Sequence, residues 1–345
     1  MTNTAGHRRR TSPGAKLTIG AAATVLVAGG GFLLAGNATA GEEGAVAPRA
    51  QGTPFAPYVD TSLQPSYDLL QSYEKSGAKE YNLAFVTSGG GCTPKWGGSQ
   101  ELTDNPVAKQ IPELRAKGGD VRVSFGGANG SELGLACDSA DALAKAYGKV
   151  VDTFDLKKID LDIEGAALPD TKANEMRAQA VASLQKSHQD LDVSYTLPVM
   201  PEGLTPPGVA LLENAKKNGV DISAVNIMAM DYGPSFDGDM GEYATQAATA
   251  THKQVQGALG LDEAKAWKAL AVTPMIGVND VAVEVFKPDD AGQVKQFADK
   301  NGMGWVSMWS GTRDKACPGG PKDQADPTCS SIEQDEFAFS KAFVS

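Results

Sequence analysis

The sequence predicts an α/β protein built as a single (β/α)8 TIM barrel, and three observations carry that reading. Short apolar runs rich in Val, Ile and Tyr alternate with longer segments of helical period. Eight such runs occur, the count of a closed barrel. An open, doubly wound sheet normally shows a dinucleotide or phosphate fingerprint near its first turn, and this chain has none.

The elements follow in order. Residues 1–40 have the layout of a secretory signal peptide: a basic start in "GHRRRTSPGAK", an apolar or small-residue run from Leu17 to Leu34, and an exit at Ala38-Thr39-Ala40. The run is long enough to span a bilayer. Its many Gly and Ala residues and its small-residue exit predict cleavage after Ala40, hence a secreted, extracellular protein with no membrane attachment afterwards. Residues 41–53 lack apolar periodicity and read as a linker. The catalytic barrel is then expected over 54–345, with strands at 55–60, 80–86, 120–126, 158–164, 192–197, 224–230, 269–275 and 304–309. Between the strands lie helical stretches that close on stop signals. In "PPGVALLENAKKNG", Val209, Leu212 and Ala215 share a face before Asn218-Gly219. "DDAGQVKQFADKNG" repeats the plan with Val294, Phe297 and Ala298 before Asn301-Gly302.

Charge narrows the partners. The leader holds four of the 31 basic residues and none of the 42 acidic ones, so the remainder carries a net charge near −15. Such a surface repels nucleic acid and anionic membranes and suits a neutral or cationic substrate. The four cysteines form no CxxC pair and only two histidines follow the leader, which argues against a zinc site. Outside the cell they are expected as two disulfides. Of the three possible connectivities, Cys92–Cys137 and Cys317–Cys329 are favoured because each closes a Gly/Pro-rich loop region. His188 and His252 fall in helical stretches and read as surface residues, so a Ser-His-Asp hydrolase is not expected. "SGGG" and "GGANG" lack the G-K-[ST] ending of a phosphate loop.

The segment "KKIDLDIEGAA" places Asp160, Asp162 and Glu164 at alternate positions, with Ile159, Leu161 and Ile163 between them. In a strand, one side chain set faces inward and the other faces the helix layer. The aliphatics suit the helix layer, so the acids must enter the barrel, with Glu164 at the C-terminal end where barrel chemistry resides. Carboxylates buried together are costly unless they share protons or hydrogen bonds, which points to an acid-catalysis site. A calcium loop is excluded because alternate positions are large aliphatics and the twelfth residue is Thr171, where a bidentate Glu is required. No metal or cofactor is expected.

These residues resemble the family-18 chitinases. That family's D-x-x-D-x-D-x-E hallmark ends in the acids matched by Asp160, Asp162 and Glu164. Its S-x-G-G motif on strand three is matched by Ser124, Gly126 and Gly127. The M-x-Y-D type motif of strand six reads Met228-Ala229-Met230-Asp231 here, and Trp309 stands where strand eight supplies a tryptophan under the reacting sugar. The chain departs from the pattern twice: Lys157 replaces the first hallmark acid, and Met230 replaces the tyrosine, with Tyr232 two residues later.

The resemblance implies a retaining, substrate-assisted cleavage of β-1,4-linked N-acetylglucosamine polymers, in which the substrate's acetamido oxygen is the nucleophile. Glu164 is expected as general acid and then base. Asp162 is expected to orient the acetamido group, and Asp160 to share a proton with Asp162. Asp231 is expected to hold the acetamido oxygen or the distorted sugar; for the missing phenol, either Tyr232 or another residue substitutes, or turnover is lower. Trp309 is expected as the floor under the sugar, Trp96 at an outer subsite, and Ser124, Gly126 and Gly127 near the substrate. Met228 reads as packing below the site and Trp267 as helix packing. The expected partner is chitin or N-acetylglucosamine oligosaccharide, taken up by a monomer. Two other readings share these acids: an endo-β-N-acetylglucosaminidase acting on glycoprotein glycans, and a non-catalytic chitin-binding relative.

Overall fold

The structure is a computed structural model that describes residues 52–345; the expected signal peptide and most of the expected linker lie outside the described residues. Eight parallel strands alternate with helices. In chain order the strands are β1 (Tyr58–Asp60), β2 (Glu80–Ser88), β3 (Asp120–Gly126) and β4 (Lys158–Asp162). β5 (Asp192–Met200), β6 (Ala224–Ala229), β7 (Leu270–Pro274) and β8 (Trp305–Val306) follow. Each pairs in parallel with its sequence neighbour. The ring closes where Val306 donates to Pro54 O at 2.8 Å and Tyr58 donates to Met308 O at 3.0 Å. First-to-last pairing with neighbours in sequence order excludes the doubly wound alternative.

The helices form the outer layer: α1 (Leu69–Ser76), α2 (Ile111–Ala116), α3 (Ala140–Phe154), α4 (Thr171–Ser187), α5 (Pro206–Lys217), α6 (Met240–Leu259), α7 (Pro288–Asn301) and α8 (Ala338–Val344). Their ends are written in the sequence. Asp68, Ser139, Asp170 and Asp239 each cap a first turn by accepting a backbone N–H. Pro206 and Pro288 open α5 and α7, where the missing N–H is not needed. Gly77, Gly260 and Gly302 end α1, α6 and α7 in the left-handed region.

Ile159, Leu161 and Ile163 are fully buried beneath the helix layer, as the alternation predicts. Both expected disulfides are present, and Cys92–Cys137 ties the loop after β2 to the loop after β3. Val209 and Phe297 are only partly buried; Leu211 supplies the buried side chain that Val209 was expected to provide. His252 is buried rather than superficial, because its ring stacks on Trp267 at 4.0 Å and its Nε2 lies 3.0 Å from Glu263 O. His188 is partly exposed and lies 3.1 Å from Asp152. Among the described residues, no helix is long and apolar enough to cross a membrane.

Candidate active site

The floor of the site is a hydrogen-bonded network inside the barrel. Asp160 is fully buried and accepts four hydroxyl donors. Ser124 (2.7 Å) and Tyr58 (2.9 Å) bond Oδ2, while Ser194 (2.6 Å) and Thr196 (2.9 Å) bond Oδ1. Asn226 donates in turn to Tyr58 at 3.2 Å and Thr196 at 2.9 Å, and its own Oδ1 accepts from Thr273 at 2.8 Å. The hydroxyls and the Asn226 amide are thus arranged so that their donors lead toward Asp160.

Asp162, two residues on, shows the opposite condition. It is 3% exposed, and its Oδ1 has no partner among the described residues. Burial, with the charges of Glu164 and Asp160, pushes its carboxyl well above the usual range. No hydrogen bond joins Asp160 to Asp162 in this structure: four hydroxyls occupy the Asp160 oxygens, and burial pushes Asp162 toward its protonated form. Glu164 lies two residues beyond the end of β4, partly exposed, and is raised to about 7 by burial and by the charge of Asp231. That value suits a group that must give a proton and later take one near neutral pH.

Above this floor is a cleft of about 360 Å³ at the C-terminal ends of the strands. Asp162, Glu164, Met230, Asp231 and Trp309 all line it, as expected. Asp231 has φ of 53°, a left-handed conformation uncommon for a residue with a side chain, and its Oδ1 accepts from Val281 N–H at 2.9 Å. Trp309 stacks on Phe85 at 5.5 Å and lies 6.1 Å from Tyr58, so the cleft has a continuous aromatic wall.

Five expectations change. Ser124 is fully buried under the cleft and orients Asp160 instead of meeting substrate. Gly126 and Gly127 serve close approach. A Cβ on Gly126 would fall 2.1 Å from Asp162 O, and one on Gly127 would meet the Phe85 ring at 2.7 Å. Trp96 is 2% exposed, packs on Phe154 at 5.9 Å and donates Nε1–H to Leu102 O, which makes it core. Tyr232 packs against Phe236 and Tyr243 with its hydroxyl buried, so it does not replace the absent phenol. Met228 is half-buried and lines the cleft, although packing alone was expected of it.

Lys157 is equally instructive: its side chain is 70% exposed and pairs with Asp155 at the surface. Beneath Asp160 the barrel instead holds Arg122, which donates to Ile159 O and Asp192 and lies 5.5 Å from the Trp305 ring. The cleft residues that sequence reasoning missed include Tyr58, Asp60, Phe85, Met275 and Asp280. Most sit at or just beyond strand C-termini, and that position was the available signal.

The chain is similar to a solved structure of active domain 2 of the thermostable chitinase from Pyrococcus furiosus, a set of catalytic-site mutants complexed with chito-oligosaccharides. The two are 31% identical and superpose with a TM-score of 0.77; the match covers 86% of this chain and 96% of that one. The chain belongs to the family-18 chitinases. A probable bifunctional chitinase/lysozyme of Escherichia coli is 38% identical over 84% of this chain, and endochitinase 11 of Metarhizium anisopliae is 38% identical over 75% of it. These matches span only 34% and 52% of the two relatives, so the chain corresponds to part of each. No protein-family model matches the chain. Below the acid triplet, Asp160 is surrounded by hydroxyls, with Arg122 bonding Ile159 O and Ser194.

Proposed function

We propose that the protein is a secreted chitinase that hydrolyses β-1,4 links between N-acetylglucosamine units with retention at the anomeric carbon. Its protonated Glu164 gives a proton to the glycosidic oxygen while the substrate's own acetamido oxygen attacks the anomeric carbon. The leaving sugar departs as an alcohol and a cyclic oxazolinium forms. Asp162 offers its unpartnered Oδ1 to the acetamido N–H and orients the attacking oxygen. Glu164, now a carboxylate, takes a proton from water, and the hydroxide attacks the anomeric carbon opposite the acetamido oxygen, on the face the leaving sugar vacated, which opens the oxazolinium with net retention.

The observation that carries this reading is the pairing of a proton donor held near neutrality with a buried, partnerless carboxyl group at the base of one cleft. Asp231 faces the same space, and Trp309 supplies an apolar surface for a sugar ring. The two disulfides suit an oxidising, extracellular setting, and the proposed unit is a monomer acting on chitin or its oligomers.

Mass spectrometry of products from an N-acetylglucosamine hexamer tests the proposal. Wild type should give shorter oligomers with retained configuration, and Glu164→Gln should lose roughly 10²–10⁴-fold in rate. An intact hexamer alongside cleavage of a high-mannose glycopeptide would favour the glycan-directed activity instead.

A further inference from the structure

Glu284 is a fully buried carboxylate that the proposed reaction does not use. It belongs to the hairpin formed by Gly277–Val278 and Val285–Phe286, which follows β7 and overhangs the end of β6. Its Oε1 accepts the Gly233 N–H at 2.7 Å while its Oε2 has no partner among the described residues, and burial raises its carboxyl despite the neighbouring backbone amides. The hairpin returns a bond in the other direction, from Val281 N–H to Asp231 Oδ1 at 2.9 Å. Between these two anchors Glu284 N–H bonds Val281 O at 2.9 Å, and Asn279 N–H bonds Glu284 O at 3.0 Å. The hairpin is held from behind as well. Arg313 donates to Val278 O at 2.6 Å, and Val278 N–H bonds Ser330 O at 2.9 Å.

The turn so clamped is one that the chain does not favour alone. Asp231 lies at φ 53° and Gly233 at φ 120°, and the Gly233 amide is bonded to Glu284 Oε1. We propose that Glu284 is a positioning residue for Asp231, holding the Asp231–Gly233 turn so that the Asp231 carboxylate is presented to the substrate. The inference rests on the chitinase reading above. Glu284 acts through Asp231, without contact to sugar: it does not line the cleft, whereas Asp231 does.

The test measures kcat and KM on the N-acetylglucosamine hexamer, with thermal melting in parallel. Glu284→Ala and Glu284→Gln are each made in the wild-type and Asp231→Asn backgrounds. The expected result is a kcat loss of roughly ten- to a hundredfold for Glu284→Ala with KM changed by less than about threefold. Glu284→Gln, which keeps an acceptor oxygen at the same reach, should recover most of that loss. In the Asp231→Asn background, Glu284→Ala should cost less than about twofold more, because its route of action is already gone. If Glu284→Ala does not melt cooperatively, Glu284→Asp, one methylene too short for the Gly233 amide, is read in the same way. An unchanged kcat, or equal losses in both backgrounds, overturns the inference while leaving the chitinase reading intact. A wild type that leaves the hexamer uncut overturns both.

Discussion

Glu164 must be protonated to act as an acid, and its carboxyl is raised from 4.5 to about 7. kcat/KM is therefore expected to be level at mildly acidic pH and to fall about tenfold per pH unit above about 7. A profile still flat at pH 9 would remove Glu164 from the acid role. Ser124→Ala should leave one Asp160 lone pair without its donor and lower stability by about 1–3 kcal/mol, measured by denaturant unfolding. At this scale the sequence was legible where residue type alone carries the meaning. Three acids alternating with three aliphatics can satisfy only one side of a barrel strand. Tyr58, Ser194, Thr196 and Asn226 were not legible. They come from three strands, β1, β5 and β6, and look like ordinary polar strand residues until the barrel closes around Asp160. Trp96 was misplaced for a related reason: a tryptophan in a Gly-rich loop gives no sign of which way its ring turns.

The strands were readable to within a few residues, because alternation and β-branched composition mark them strongly. β3 spans Asp120–Gly126, the expected range, whereas β8 reduces to Trp305–Val306 although the chain continues extended to the cleft at Trp309. The loops that shape the site were less legible. The Gly277–Phe286 hairpin has no strong turn dipeptide and owes its shape to contacts with Arg313 and Ser330, remote in sequence. The two disulfides brace such loops. Cys92–Cys137 closes 45 residues and Cys317–Cys329 closes 12. Chain-entropy reasoning predicts that Cys92→Ser with Cys137→Ser costs about 4 kcal/mol, and the shorter loop about 3 kcal/mol. Urea unfolding of the two double variants, with m compared to wild type, checks the order.

For the molecule as a whole, the acidic site sets how stability follows pH. Glu164 has a folded value above its unfolded one, as do Asp162 and Asp231. The folded chain binds more protons in that interval. The stabilisation linked to Glu164 is thus complete below about pH 4.5 and is lost as pH rises through about 7. Glu164→Gln removes this dependence. Its melting temperature should exceed that of wild type by more at pH 8 than at pH 5, by the equivalent of on the order of 2 kcal/mol. An equal gap at both pH values would mean that the carboxyl is not held out of water. Catalytic readiness and alkaline robustness are opposed here, since the same burial produces both effects.

The seam that completes the barrel has a practical corollary. Pro54 and Phe55 join β8 at its N-terminal side, and the Phe343 ring of α8 stacks on Phe55 at 5.2 Å. Phe55 and the α8 end therefore sit side by side, with Gly52 against Lys295 and Asp299 of α7, on the pole away from the cleft. A bead, fusion partner or affinity handle attached at either position would hold the molecule by its back, with its working face turned outward to a solid polymer.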